Sequence, residues 1–560
     1  VMNFFIGTTR RFALLITGIL AIAGSLVLFY FLRMPSETGV QFLFGYSRTR
    51  LLLALILVIL LTANWGLVFW LGSKPAKWQT QLEDKVHAWF HEHIAFSVSA
   101  LSLIALISGA VLLGMLPPVI RSIGFLEAVA TRLAGIVFWV FLTSLLLTLF
   151  FRSTYHEALR ENKTIARLDY FLIAAIIFLA VFFLYEHILI WTGAANQSRY
   201  SYWNLLADEF LRGNLYLKNP PENHDLTLYN GHWYVPMPPL PAILMMPLAY
   251  LIGGENIDTS DLSILFSAAN AVLIFLTLEQ LAQHKWIKLS RGAILLLVVL
   301  FAFGNPHLWV GIRGRAWFVS QIVTVTFLAL AVLATLRSWS PWWVGICLGT
   351  AILARPNSIL TWPFAFAIML QVFKETNGGL GLQQIINWSI KSLLPIGLAV
   401  SALLIYNHAR FGNFLDFGYT TLNGDPGILA SAQKYGMFSP HFIMNNIKAM
   451  FLYMPWIQPG SRWPILPSST GMSIFLVTPP LLYLFHRYEP KWWIIGAWSS
   501  VFLNFVLLLL YHNTGAHQFG YRYILDAIVP LLALLAVALD KKTPWHFILL
   551  LMISIIFNLY

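Results

Sequence analysis

The chain contains 560 residues, of which 58% are hydrophobic and only 10% are charged. Soluble domains carry about 25% charged residues, so this composition excludes an ordinary soluble fold. The net charge of +12 does not indicate nucleic-acid binding, because the Lys and Arg residues lie between apolar blocks, where they suit a membrane surface. The single cysteine, Cys347, excludes an intramolecular disulfide.

The apolar blocks have the length that a helix needs to cross about 30 Å of hydrocarbon. Alternating strands of the membrane-barrel type are absent from the sequence, so we predict an all-α polytopic membrane protein with about 15 transmembrane helices. Four of these spans fall in the first third, at 12–32, 51–72, 94–116 and 133–151. The first is too long for a signal peptide and is interpreted as a signal anchor.

A basic connector, RSTYHEALRENKTIARLD, follows the fourth span and divides the chain into regions 1–152 and 153–560. The second region begins with a span at 170–192. Ten further spans are predicted at 262–283, 292–304, 316–336, 341–354, 358–373, 392–405, 471–485, 492–511, 523–539 and 544–560.

The distribution of basic residues predicts a cytoplasmic N-terminus in the plasma membrane, with the long loops 193–261 and 406–470 on the external face. The segment HKWIKLSR and the turn at Lys541 and Lys542 then lie on the cytosolic face. This orientation requires that PMPPLPAILMMPLAYL does not span, and its proline run also disfavours a regular helix start.

The loop 193–261 carries three acids that are candidate catalytic residues, Asp208, Glu209 and Asp225. A carboxylate at the membrane surface can act as a general base on a hydroxyl or an amine. The alternative is that an exposed loop simply contains solvated acids.

Aromatic residues surround an Asn-Gly turn that follows Asp225 and predicts a β-hairpin. Tyr229, Trp233 and Tyr234 suit sugar recognition, because aromatic rings stack on the apolar faces of sugars. They suit an interfacial aromatic belt equally well.

Four predicted external arginines, Arg313, Arg315, Arg355 and Arg522, adjoin membrane spans, where an unpaired guanidinium is costly. A lipid phosphate would supply an anionic partner, and His517 in the segment YHNTGAHQFGYR is a further candidate substrate-binding residue. Snorkelling of each arginine to lipid headgroups is the alternative.

Other motifs give weaker support for a functional role. Glu186 and His187 form an ionisable pair near the end of a span, whereas His87, His91 and His93 suit an amphipathic segment better than a metal site. Walker, GxGxxG, CxxC and GxSxG motifs are absent from the sequence, so a nucleotide-driven motor or a serine hydrolase has no support. No metal ligands are assigned, and assistance by a divalent metal stays open.

Six segments in order resemble the GT-C superfamily of polyprenyl-phosphate-sugar-dependent glycosyltransferases, which includes protein O-mannosyltransferases and aminoarabinose transferases. The resemblance covers roughly residues 165–560. The segments are LADEFLRGNLYL, LYNGHWYVPMPPLPAILMMPLAYLIGG, GIRGRAWFVSQ, LARPNS, YNHARFGNFLDFGY and HQFGYRYILDAIVPLL.

The resemblance implies a GT-C-like core whose external loops carry the active site and transfer a sugar with inversion from a polyprenyl-phosphate carrier. Asp208 best matches the first-loop acid that acts as base, with Glu209 and Asp225 as alternates. Arg355 and Arg522 resemble the basic positions that face the lipid phosphate. Asp208 lies farther past its span than the acid of better-known members, and the four N-terminal spans have no counterpart.

Two functions therefore compete. One is a glycosyltransferase whose partners are membrane lipid, the lipid-linked sugar and a glycan, lipid or protein acceptor. The other is a transporter or lipid-linked-sugar flippase that uses intramembrane acids such as Glu186. The absence of a convincing sequence repeat and the concentration of polar residues in the external loops favour the enzyme.

Overall fold

The structure is a computed structural model. It describes residues 163–193, 200–379, 381–457, 465–515, 517–539 and 543–559, with short stretches between residues 17 and 66. Several features named above lie outside the described residues: the spans 94–116 and 133–151, the histidines His87, His91 and His93, and the turn at Lys541 and Lys542.

Two helical stretches near the N-terminus lie within the predicted spans 12–32 and 51–72. The Asn64 side-chain amide donates a hydrogen bond of 3.3 Å to the Thr17 carbonyl oxygen. The Trp65 indole N–H donates one of 3.2 Å to the Ser25 hydroxyl. These stretches belong to a different compact unit from the chain that begins at Ile173.

Helices dominate the described chain from Lys163 onward, as the apolar blocks predict, so its all-α character is confirmed. The central one, α7, is buried almost all round, which is typical of a helix inside a large bundle. The helices are α1 (Lys163–Trp191), α2 (Trp203–Leu211), α3 (Leu240–Ile252), α4 (Thr259–Gln283), α5 (Arg291–Phe303), α6 (His307–Gly311), α7 (Ala316–Leu336), α8 (Pro341–Ile352), α9 (Trp362–Asn377), α10 (Leu382–Phe411), α11 (Pro426–Tyr435), α12 (Ile443–Ile447), α13 (Ile474–Val477), α14 (Trp492–Leu510), α15 (Ile528–Ala538) and α16 (Trp545–Leu559).

Six helical segments in the described part of the chain are long and apolar enough to cross a membrane. They are Ile173–Ile190, Thr259–Gln283, Ala316–Leu336, Pro356–Thr376, Leu382–Phe411 and Trp492–Leu510. The sequence predicted eleven spans from residue 170 onward, so the predicted total of about 15 is wrong, because several of these eleven are shorter helices or are interrupted.

The physical reason is helix length. The helices α5, α8 and α16 contain 13, 12 and 15 residues. At 1.5 Å per residue, each is shorter than the roughly 30 Å hydrocarbon core. The predicted span 471–485 is divided into α13 and a 3-10 segment, Pro479–Phe485, which begins with two prolines.

Helix α8 packs closely against α10 through two glycines one helical turn apart. A Cβ atom added at Gly345 would lie 2.2 Å from the Ser392 carbonyl oxygen, and one added at Gly349 would lie 3.0 Å from the Pro395 carbonyl oxygen. Small residues at this spacing allow two helix backbones to approach each other.

The helices separate two sets of loops at opposite ends of the C-terminal unit. At the start of α4, the Thr259 hydroxyl donates a hydrogen bond of 2.6 Å to the Gly314 carbonyl oxygen. At the other end of α4, His284 Nε2 lies 2.8 Å from the Leu336 carbonyl oxygen. Loop 193–261 and the segment HKWIKLSR therefore lie at opposite ends of α4.

The two long loops meet in one antiparallel sheet of order β2-β1-β3, which contains β1 (Leu226–Tyr229), β2 (His232–Tyr234) and β3 (Leu422–Asn423). The strands β1 and β2 form the predicted hairpin, and Leu226 of β1 is the partner of Asn423 in β3. The two loops therefore lie together at the same end of the helices, and the membrane face that they occupy stays a prediction. Two further strands, β4 (Trp456–Ile457) and β5 (Ile465–Leu466), pair with each other.

The proline-rich segment forms α3, a helix of 13 residues that begins at Leu240 within the proline run. Its length corresponds to about 20 Å, which is shorter than the hydrocarbon core. The buried side of α3 packs with α2 around Trp203, Leu206 and Met245. The location of α3 at a membrane surface stays a prediction.

Candidate active site

Asp225 lies where loop 193–261 enters β1, and the neighbouring long loop positions it. Its backbone N–H donates a hydrogen bond of 2.6 Å to the Asn423 carbonyl oxygen. Its φ of 60° is in the left-handed region, which non-glycine residues adopt at turns. A Cβ atom added at Gly424 would lie 3.0 Å from Asp225 Oδ1, so the glycine leaves space for the carboxylate. The Asp225 side chain keeps 31% of its surface exposed.

Basic side chains lie near the Asp225 carboxylate, and His224 Nε2 is 3.7 Å from its Oδ1. Burial raises the pKa of Asp225, and the negative charge of Asp425 adds to this effect. His224, His517 and Arg522 lower the pKa, but the net shift is upward. Asp225 therefore lies within electrostatic range of two residues, His517 and Arg522, that the sequence predicts as substrate-binding.

Arg522 is a buried guanidinium with neutral partners. Its Nη1 donates a hydrogen bond of 3.2 Å to Gln321 Oε1, and its Nη2 donates one of 3.3 Å to the Tyr523 hydroxyl. Its Nε is buried and has no hydrogen-bond partner in the described chain. The guanidinium carbon also lies 5.2 Å from the centre of the Phe318 ring. A buried cation with this environment can accept an anionic ligand.

Arg355 is already neutralised by a carboxylate. Its Nη2 lies 2.7 Å from Asp526 Oδ2, and the two side chains are 17% and 2% exposed. Asp526 also accepts hydrogen bonds of 2.9 Å from Asn357 and 3.1 Å from Gln321. Arg355 therefore contributes less free positive charge to a ligand than Arg522 does.

Tyr419 lies within electrostatic range of both Asp225 and Arg355. It lies in the short 3-10 turn Tyr419–Thr421 that precedes β3. Burial, Tyr523 and Asp225 raise the pKa of Tyr419 to about 12, against the opposing effects of Arg355 and Arg410. The hydroxyl therefore stays protonated at neutral pH and can donate a hydrogen bond. The Tyr419 turn adjoins β1, and the 3-10 segments Pro356–Thr361 and Arg522–Ala527 adjoin each other. Tyr419 lies within electrostatic range of Tyr523 and Arg355 in this second pair.

Asp208 and Glu209 are engaged elsewhere, by an arginine on their own helix. Arg212 lies 2.8 Å from Asp208 Oδ2 and 3.3 Å from Glu209 Oε1. Asp208 Oδ1 also accepts the Gly254 backbone N–H at 3.3 Å, and Glu209 accepts a hydrogen bond of 2.6 Å from Asn214. These contacts join α2 to its following turn and to the 3-10 segment after α3.

Arg313 and Arg315 lie between α6 and α7 among aromatic rings. The guanidinium carbon of Arg313 lies 4.0 Å from the centre of the Trp309 ring. That of Arg315 lies 5.8 Å from the Tyr200 ring and 5.9 Å from the Phe318 ring. Because Phe318 also contacts Arg522, this pair adjoins the Asp225 site.

The three predicted sugar-stacking residues hold the hairpin in position. Tyr229 and Tyr234 contact the Phe411 ring edge-on, at ring distances of 5.6 Å and 5.2 Å. Trp233 packs against the cluster that α2 and α3 form. At the end of α10, Arg410 donates a hydrogen bond of 2.6 Å to the Val235 carbonyl oxygen. The sugar-binding role of these aromatic residues stays a prediction.

The sequence reasoning missed Asp526, Tyr419 and Gln321. The sequence could have indicated Asp526 as an ion-pair partner, because it is an acid four residues after Arg522 at the start of an apolar block. An unpaired charge would be costly there. No sequence pattern indicates Tyr419 or Gln321, because their roles depend on contacts with distant segments.

Within the described chain, no group of three or more His, Cys, Asp or Glu residues is arranged to hold a metal ion. In comparisons with known proteins, no family model, curated protein or solved structure matches this chain.

Proposed function

We propose that the protein is a GT-C-type integral membrane glycosyltransferase that transfers a sugar from a polyprenyl-phosphate carrier to an acceptor. One observation carries the proposal. A partly exposed carboxylate, Asp225, lies within electrostatic range of a buried guanidinium, Arg522, that has no carboxylate at ion-pair distance in the described chain. A base and an anion-binding cation near one reacting centre suit transfer from a phosphate leaving group.

In the proposed reaction, Asp225 takes the proton from the acceptor hydroxyl while the oxygen attacks the anomeric carbon of the sugar. The bond from that carbon to the carrier phosphate oxygen breaks, and the configuration inverts. Arg522 stabilises the negative charge that develops on the leaving phosphate, because a charge-assisted hydrogen bond strengthens as the charge grows. Tyr419 is positioned to donate a further hydrogen bond.

The choice of Asp225 over Asp208 follows from their partners. Asp208 is held by Arg212 and by the Gly254 backbone N–H, so its oxygens already accept hydrogen bonds. The nearest basic side chain to Asp225 is the His224 imidazole at 3.7 Å, and the raised pKa of Asp225 makes it a stronger base once deprotonated. Arg355 supports the site through Asp526.

The alternative of a transporter or flippase gains some support from polar residues inside the helices. The Tyr185 hydroxyl lies 2.9 Å from His307 Nδ1, and Asn270 accepts a hydrogen bond of 2.6 Å from Thr326. Asn270 Nδ2 also lies 3.4 Å from His307 Nε2. These groups satisfy one another without a bound ion or substrate, so they are better explained as a structural network.

The test is to incubate the full-length protein in phosphatidylcholine nanodiscs with polyprenyl-phosphate mannose or polyprenyl-phosphate glucose. Lipid and glycan extracts of membranes serve as acceptors. The proposal expects release of polyprenyl phosphate together with a labelled product. Intact donor that only moves between the leaflets of proteoliposomes would support the flippase and contradict the transferase.

A further inference from the structure

A second group of donors lies beside the Asp225 site and takes no part in the proposed transfer. It consists of Arg313, Arg315 and Trp317. Arg313 Nη1, Arg315 Nε and the Trp317 indole N–H are all buried and have no hydrogen-bond partner in the described chain. Buried donors are normally paired, so three orphaned donors in five residues indicate a missing acceptor.

The positive charges of Arg313 and Arg315 also have no acidic partner among the described residues. Burial and the neighbouring charge of Arg315 lower the pKa of Arg313 to about 10, so Arg313 stays charged at neutral pH. Burial also lowers the pKa of Arg315. Neither arginine has a carboxylate within ion-pair distance among the described residues, and each faces aromatic rings instead. Two partly buried like charges without a counter-ion are costly, and an anion would relieve that cost.

The position of the group follows from the packing of its loop. A Cβ atom added at Gly314 would lie 2.5 Å from the Ser260 backbone nitrogen, so this loop lies directly on the start of α4. At α7, the Ala316 backbone N–H donates a hydrogen bond of 3.0 Å to the Tyr200 carbonyl oxygen. The backbone that carries both arginines is therefore packed against α4 and against Tyr200.

Aromatic rings connect this group to the proposed base. The Tyr200 ring stacks on Trp317 at 5.9 Å and contacts the His224 ring at 4.9 Å. His224 in turn adjoins Asp225. The Tyr200 and His224 rings therefore lie between the two arginines and the Asp225 carboxylate.

We propose that Arg313, Arg315 and Trp317 form a second oxyanion-binding subsite, which holds a phosphate group and is separated from Asp225 by the Tyr200 and His224 rings. The phosphate belongs either to an anionic lipid headgroup or to a soluble phosphorylated ligand. Both sources offer the same chemistry, namely oxygens that accept from two guanidiniums and an indole N–H. The inference does not depend on sugar transfer, because binding is measured without turnover.

The test uses the full-length protein and two probes. Native mass spectrometry counts phosphatidylglycerol retained after release from mixed nanodiscs of phosphatidylcholine and phosphatidylglycerol. Thermal unfolding in neutral detergent measures stabilisation by inorganic phosphate at constant ionic strength, with chloride as the reference anion. Retained phosphatidylglycerol indicates a lipid headgroup, whereas stabilisation by inorganic phosphate indicates a soluble ligand.

The variant Arg313→Gln/Arg315→Gln is expected to weaken the observed binding by about tenfold or more, because each lost charge-assisted hydrogen bond corresponds to roughly that factor. Arg337→Gln is the matched control, since Arg337 is exposed at the opposite end of α7 and should change nothing. Asp225→Asn should also retain the binding, which separates this inference from the proposed transferase.

Two milder variants keep the test decisive if the double variant fails to fold. Trp317→Phe removes the indole N–H and keeps an aromatic ring, and Arg315→Lys keeps the charge and loses the planar fork. Each should weaken binding by about two- to fivefold. Equal binding by all variants would overturn the proposal. So would the combination of no retained phosphatidylglycerol with equal stabilisation by phosphate and chloride.

Discussion

The backbone N–H of Asp225 donates a 2.6 Å hydrogen bond to the carbonyl oxygen of Asn423, a residue 198 positions later in the chain. This bond extends the pairing of β1 with β3, so two loops that are distant in sequence support one carboxylate. The position of the proposed base therefore depends on loop 406–470 as much as on the loop that contains it.

A disulfide tests this pairing. In a Cys347→Ser background, Leu226→Cys and Asn423→Cys should form an intramolecular disulfide on mild oxidation. Directly paired residues in antiparallel strands have Cα atoms about 4.5–5.5 Å apart, within the range that a disulfide bridges. The measurement is a mobility shift on non-reducing gels after cleavage of the chain between the two sites.

The pair Leu228→Cys and Asn423→Cys serves as the control, because Leu228 lies two positions along β1. It should form little disulfide. Equal cross-linking by both pairs would indicate that the loops are not held in this register.

The pH dependence of transfer should reflect the raised pKa of Asp225. The base acts in its deprotonated form, so the rate should fall as the pH falls through a pKa higher than the ordinary 3.8 of an aspartate. Asp425 contributes to the upward shift. Asp425→Asn should therefore move the acid limb of the profile to lower pH.

Asn is a suitable replacement because Asp425 also caps α11 by accepting the Gly427 and Ile428 backbone N–H groups. Asn fulfils the same capping role, so α11 should be preserved. An acid limb that moves upward, or that does not respond to the substitution, would show that Asp225 is not the group that titrates.

Breaking the buried pair of Arg355 and Asp526 should destabilise the protein. Arg355→Met leaves the Asp526 carboxylate buried without its cation, which costs about 3–5 kcal/mol. The double variant Arg355→Met/Asp526→Leu should recover part of this loss, because it removes the orphaned charge. Reversible unfolding in a denaturing detergent measures both changes.

Lys491→Met provides the comparison, since Lys491 and Glu489 form a pair in which the side chains are 41% and 79% exposed. Exposed pairs contribute little to stability, so this variant should unfold like the wild type. Equal free energies of unfolding for Arg355→Met and Lys491→Met would argue against a buried ion pair at Asp526.

The contact of α8 with α10 predicts that alanine substitution at two glycines has very different effects on stability. Gly345→Ala should cost about 1–3 kcal/mol, because its methyl group would collide with the Ser392 carbonyl oxygen of the facing backbone. Gly397→Ala on α10 should be tolerated, since nothing lies within 4 Å of its added Cβ atom. Thermal unfolding in detergent compares the two, and equal melting temperatures would contradict this packing.

The sequence predicted the helical class, the hairpin at Asn230 and the common end of the two long loops, because these depend on local composition and on charge distribution. It overcounted the spans because apolar composition alone does not distinguish a helix of about 20 residues from one of 12.

The choice among the acids needed the structure. Arg212 lies four residues after Asp208, so their pairing on one helix face is visible in the sequence. The contact of Asp225 with Asn423 and its proximity to Arg522 come from separate loops. No local pattern reports a contact between segments that are hundreds of residues apart.

The central claim is tested most directly by the rate of sugar transfer from a polyprenyl-phosphate donor in three proteins: wild type, Asp225→Asn and Asp208→Asn. Asp225→Asn should lower the rate by about 10²–10⁴-fold, because the amide cannot accept the acceptor proton, while donor binding persists. Asp208→Asn should keep most of the activity, since it alters only the contacts of α2 with Arg212 and Gly254. Near-normal transfer by Asp225→Asn, with activity abolished in Asp208→Asn, would contradict the account.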